Sequence, residues 1–202
     1  MGTLRSSIGE QTAHLCIDMQ RLFVLGGPWQ TPWMERVLPV VVNLTTHQPH
    51  RTIFTRFIPA KSPDEARGRW RAYYEKWQNV TLDAVDPALV ELVPALQKFL
   101  PPAQQFDRST YSAFADGRLH AGLQSHGINT LIFSGSETDV CVLATVLAAV
   151  DHGYRTIVVS DALASSSDES HDALIDLYNK RFDIQIEVAI AQDVIEGWSV
   201  RD

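Results

Sequence analysis

The chain has 202 residues, 45% of them hydrophobic, and a formal net charge of -7. That is material for one well-filled core and not for two. No Lys/Arg cluster of binding size occurs, so nucleic acid and anionic membrane are poor partners. Two cysteines make no disulfide framework and suit a reducing compartment. The first residues are polar, with no apolar signal region, and no apolar run of about 18 residues follows. A soluble cytoplasmic protein is the expectation.

Apolar runs and helical patterns alternate along the chain. Ala13 to Ile17 reads as a first strand that stops at Asp18. Pro32 to His47 reads as a helix, with Trp33, Val37, Val40, Val41 and Leu44 on one face. Thr52 to Thr55 is a second strand. The segment 56–86 is an irregular excursion in which Trp70, Tyr73, Tyr74 and Trp77 are interleaved with Arg67, Arg69, Arg71 and Lys76. Such an excursion after a strand end is where α/β folds build lids or partner surfaces. Pro87 to Phe99 follows as a helix bent at Pro94, and Gln104 to Phe106 as a third strand. Asp116 to His126 is a helix closed by Gly127, and Thr130 to Phe133 is strand four. Asp139 to His152 is a helix closed by Gly153, and Arg155 to Val159 is strand five. Asp168 to Arg181, Ile184 to Val188 and Gln192 to Trp198 complete the pattern as helix, strand and helix. Short apolar strands separated by helices imply parallel pairing with helices on both faces, an α/β protein. No composition shift marks a boundary, so one domain spans residues 1–202.

In a parallel sheet, ligands sit outside the carboxyl ends of the strands. Three polar groups fall there: Asp18 after strand one, Arg108 after strand three and Cys141 after strand four. Cys141 lies in Gly135-Ser136-Glu137-Thr138-Asp139-Val140-Cys141-Val142, in the first turn of a helix. Free amides and the positive helix end favour a thiolate there. A carboxylate can take the thiol proton, a cation can steady both anions, and the thiolate can attack an acyl carbon. Backbone amides near Glu137 and Cys141 can receive the oxyanion. Asp139 reads as a helix-start carboxylate, and Glu137 faces either pocket or solvent.

These residues, in this order, resemble the isochorismatase-like cysteine hydrolases. The matching stretches are Ile17-Asp18-Met19-Gln20 with Phe23, Thr110 to Phe114, Gly135 to Val142, Gly153-Tyr154-Arg155, Val159 to Ala162, and His171. The resemblance implies a three-layer α/β/α Rossmann-like fold of about six parallel strands, often a homodimer or homotetramer. It places the family's catalytic aspartate on Asp18 and its nucleophile on Cys141. The family's lysine falls on Arg108, which supplies the charge but not a compact ammonium. It also implies a cis peptide bond at Ser136–Glu137. Phe23, Trp70, Tyr111, Ser136 and Glu137 are the expected pocket residues. Nicotinamidases of the superfamily bind a metal through an Asp and two histidines after strand two, and residues 56–86 contain no histidine. No metal or other cofactor is therefore expected. The implied function is hydrolysis of a small amide, ureido or related C–N bond through an acyl-enzyme. The alternatives are hydrolysis of a non-amide substrate and a non-catalytic binding homologue.

Overall fold

A six-stranded, wholly parallel sheet organises the chain, with strand order β3-β2-β1-β4-β5-β6. The strands are β1 (Thr12–Ile17), β2 (Thr52–Phe57), β3 (Gln104–Arg108), β4 (Thr130–Ser136), β5 (Arg155–Ala164) and β6 (Ile186–Ala189). The computed structural model describes residues 4–199. The helices are α1 (Met34–His47), α2 (Arg69–Lys76), α3 (Pro87–Val90), α4 (Pro94–Gln97), α5 (Arg118–Ser125), α6 (Leu143–Asp151), α7 (Asp168–Arg181) and α8 (Ala191–Gly197). This is the Rossmann-like, three-layer arrangement.

β1 is buried along its whole length because both of its faces are covered. Cys16 joins Phe54, Ile132 and Ile157 beneath Val37, Val41 and Leu44 of α1 and Val194 of α8. Leu15 and Ile17 join Phe133 and Val158 on the other face, under Leu123 of α5, Val146 of α6 and Tyr178 of α7. The period-2 alternation of the strand thus feeds two apolar layers.

Several elements end elsewhere than the sequence pattern suggests. The expected helix from Pro87 to Phe99 is two short ones, α3 and α4. Pro94 disfavours a helical Val93, whose backbone is extended and whose amide donates to the Met19 carbonyl at 2.9 Å. Strand five continues through Ser160 and Asp161. The Asp161 side chain accepts from the Ala191 amide at 2.8 Å and so holds the start of α8. β2, β3 and β4 also extend two or three residues past their last expected positions. Strand six begins later, at Ile186, and Ile184 is 78% exposed. The helix expected from Asp139 opens with a wide π-type turn over Thr138–Val142.

Candidate active site

The strand order reverses between β1 and β4, and that crevice is where an α/β sheet offers a ligand site. Asp18 leaves β1 there with φ 47, a left-handed conformation in which a non-glycine residue is strained. Its amide donates to the Thr55 carbonyl at 3.2 Å. Its Oδ1 accepts from the Thr55 hydroxyl at 2.7 Å, and its Oδ2 accepts from Arg108 Nη2. Arg108 is the last residue of β3 and reaches across β2 to do this. Its guanidinium carbon lies 5.4 Å from the Phe57 ring centre, and Nη1 donates to the Thr110 carbonyl. The Asp18 and Arg108 side chains are 0% and 2% exposed. Burial opposes the Arg108 charge, but Asp18 and Cys141 together hold its pKa above the usual value. Gly135 permits the close approach of β4: a Cβ there would sit 2.0 Å from the Ile17 carbonyl oxygen.

Cys141 sits in the wide turn that follows β4. The Val140 and Val142 amides both donate to the Glu137 carbonyl, at 3.2 and 3.1 Å. The Thr145 hydroxyl donates to the Cys141 carbonyl at 2.7 Å and accepts from the Ala113 amide at 3.2 Å. Thr138 shares a 2.9 Å hydrogen bond with His171, tying the turn to α7. The Ser136–Glu137 peptide bond is cis. Asp18 and Arg108 are the two charged side chains that act on the Cys141 thiol. Burial pushes it well above the usual thiol range, Asp18 pushes it further, and Arg108 opposes both. This corrects the expectation that the helix start favours a thiolate. Beside a carboxylate–guanidinium pair and out of water, the thiol is thus held in its neutral form.

A cavity of about 410 Å³ opens onto Cys141. Phe23, Tyr111 and Glu137 line it, as do Trp29, Phe57, Tyr73 and Trp77. Trp29 is the hub of the aromatic wall, with ring centres at 5.9 Å from Phe23, 5.8 Å from Phe57 and 6.2 Å from both Tyr73 and Trp77. Nothing in its short Gly26-Gly27-Pro28 approach announces this position. Two expected pocket residues lie elsewhere. Trp70 stands one layer back, packed on Phe57, Tyr73 and Tyr111. Ser136 is wholly buried at the end of β4, away from the cavity wall. Glu137 faces the cavity, and its Oε1 accepts from the Ser166 amide at 3.2 Å. Asp139 accepts from the Ser165 hydroxyl at 2.7 Å. The excursion's aromatics are half-buried or buried against their own subunit. Self-association therefore does not follow from an exposed aromatic patch. Among the described residues, no group of three or more His, Cys, Asp or Glu is placed to hold a metal ion, so the nicotinamidase metal site has no donor set here.

Residues 12–190 match the isochorismatase domain family model. The chain belongs to that family. It is 28% identical over 176 residues to a probable inactive nicotinamidase of Arabidopsis thaliana, covering 83% of this chain and 88% of that protein. It is 34% identical over 74 residues to the maleamate amidohydrolase of Pseudomonas putida, 36% of this chain and 35% of that one. Among solved structures, a cysteine hydrolase from Pseudomonas syringae superposes with a TM-score of 0.80 at 23% identity, over 92% of this chain and 91% of that one. The N-carbamoylsarcosine amidase of Thermoplasma acidophilum gives 0.71 at 19% identity, over 89% and 96%. At these identities the superpositions establish the isochorismatase-like hydrolase fold alone. Among the described residues no helix is long and apolar enough to cross a membrane.

Proposed function

We propose that this chain is a cysteine hydrolase that cleaves a small amide, ureido or related C–N bond through a covalent acyl-enzyme. The observation that carries the reading is the convergence of Asp18, Arg108 and Cys141, from three strands, beneath one cavity. Asp18 removes the thiol proton as the sulfur attacks the acyl carbon. The new S–C bond leaves a tetrahedral oxyanion. The Val140 and Val142 amides are engaged with the Glu137 carbonyl, so we assign the oxyanion to the Glu137 and Cys141 amides. Asp18, now protonated, gives its proton to the nitrogen as the C–N bond breaks. A water activated by the same carboxylate then attacks the thioester, and the thiol returns. Arg108 holds a fixed positive charge beside both anions throughout. Its burial makes that charge stronger than it would be in water.

The raised thiol pKa suits this cycle. A thiol that ionises only as it attacks stays protected between turnovers, and the adjacent carboxylate makes the proton transfer local. The names of relatives with amide-hydrolysing activity support the amide reading, whereas the relative named as inactive supports a non-catalytic homologue. One experiment decides between them. Protein is incubated with a panel of small amides and its intact mass recorded. An acyl adduct present in the parent and absent in Cys141→Ala is the expected result. Unchanged turnover by Cys141→Ala on a verified substrate would sink the covalent mechanism.

A further inference from the structure

The cavity beside Cys141 has an unusual charge balance. No Lys, Arg or His is among its lining residues. Arg108, the buried cation beneath it, has its two terminal nitrogens on Asp18 and the Thr110 carbonyl, and its charge is matched by Asp18. Lys76 lies over the Trp77 ring at 5.5 Å without lining the cavity. That leaves the carboxylate of Glu137 as the one charged side chain in the wall. Its Oε1 accepts from the Ser166 amide at 3.2 Å, and among the described residues no ion pair includes it. Burial raises its pKa, and Asp139 and Asp18 add to that, against the Ser166 side chain and amide. A half-buried carboxylate with no protein cation beside it favours a cationic partner. The rest of the wall is aromatic, and ring faces attract cations, most strongly where water is thin.

We infer that the substrate of this site is cationic: a small amide whose acyl part bears a quaternary or protonated amine, seated among Trp29, Tyr73 and Trp77 with its charge toward Glu137. The placement of the carbonyl at Cys141 rests on the hydrolase reading above. The charge preference does not. An anionic amide would meet Glu137 in a wall that holds no cationic side chain. A neutral amide would fill the box but leave Glu137 as it is. A cation satisfies both the carboxylate and the rings.

Three matched butyramides test this, ending in trimethylammonium, in tert-butyl and in carboxylate. The first two share shape and differ in charge. Binding is read on Cys141→Ser by calorimetry and by quenching of tryptophan fluorescence, so that it is measured whether or not turnover occurs. Acyl-adduct formation is read separately on the parent. The cation should bind about tenfold more tightly than its neutral isostere, and the carboxylate more weakly than either. Glu137→Gln should reduce the cation-to-neutral ratio about tenfold, and Trp77→Leu should reduce it too, which covers the case of one variant that does not fold. Equal affinity for cation and isostere, strongest binding of the carboxylate, or no measurable binding of the cation would each overturn the inference. Absence of an adduct with every amide would instead count against the hydrolase reading, and the binding order would still stand.

Discussion

Arg108 shows most directly how one residue's surroundings fix its role. It is 4% exposed, is absent from the cavity wall, and places its two terminal nitrogens on Asp18 and the Thr110 carbonyl, while its buried Nε has no protein partner. We propose that a residue so placed sets the field around Cys141 rather than reading a substrate group. Arg108→Ala should therefore lower kcat by a barrier increase of about 2–4 kcal/mol while leaving KM near the parent value. It should also destabilise the fold, by about 3–5 kcal/mol, because Asp18 is left buried without its partner. Arg108→Lys keeps the charge but not the two-pronged reach across β2, so it should recover part of kcat at the parent KM. Steady-state kinetics and urea unfolding of both variants check this, and full activity in Arg108→Ala would remove the cation from the mechanism. Asp18 makes the opposite prediction for thiol reactivity. Burial and then Asp18 raise the Cys141 thiol, and Arg108 lowers it. Asp18→Asn should thus move the midpoint of iodoacetamide labelling to lower pH, although turnover is lost with the base. Arg108→Ala should move the midpoint to higher pH. Labelling rates across a pH series read both shifts, and an upward shift in Asp18→Asn contradicts the assigned electrostatics.

At the scale of elements, the site depends on how closely β4 approaches β1. Gly135 has φ 108, and a Cβ would meet the Ile17 oxygen at 2.0 Å and nitrogen at 2.6 Å. Gly135→Ala must separate the two strands where Asp18 and Cys141 converge. It should cost at least about 2 kcal/mol of stability and most of the activity, read by thermal unfolding and turnover together. A variant with parent stability and rate would show that the crevice tolerates the shift. The sequence made the cores of these elements plain and their carboxyl ends obscure. Apolar patterning stops at the last residue that faces the core, whereas the hydrogen-bonded ladder continues through Arg108 and Ser136. Those polar positions are where the fold departs from patterning, next to the candidate site. Asp18, Arg108 and Cys141 were legible because each follows an apolar run. Thr55 and Thr145 were not, since a threonine in a strand or helix looks the same whether or not its hydroxyl steadies a neighbour. Trp29 was hidden because its position depends on a loop folding back over the sheet, which no local period records.

Across the whole molecule, the apolar centre of the sheet holds a buried titratable group, and this ties stability to pH. His14 is buried in β1, hydrogen-bonded to Thr52 of β2 at 3.2 Å and to Ser134 of β4 at 2.7 Å. Burial lowers its pKa from 6.5 to about 3. Beside it, burial pushes the Cys16 thiol up to about 12, against the neighbouring Ser134 hydroxyl and with a further rise from Asp18. Both groups therefore stay neutral near pH 7. In the unfolded chain the histidine takes up a proton below about pH 6.5. The folded chain refuses that proton until pH falls to about 3. The unfolded state binds more protons throughout this window, so stability falls as pH falls. The slope approaches 1.4 kcal/mol per pH unit for one site, reached well inside the window. The carboxylates add slopes of their own, so the test is a difference between two proteins. His14→Gln retains a neutral hydrogen-bonding group but cannot titrate. It should be less stable than the parent at pH 7, because the ring's packing is lost. The gap should then narrow by about 1–1.4 kcal/mol for each unit between pH 6 and pH 4. Urea midpoints of both proteins at pH 7, 6, 5 and 4 measure it. Parallel curves would mean that His14 accepts a proton within the folded sheet, and that the strands holding the site can open to charge without unfolding.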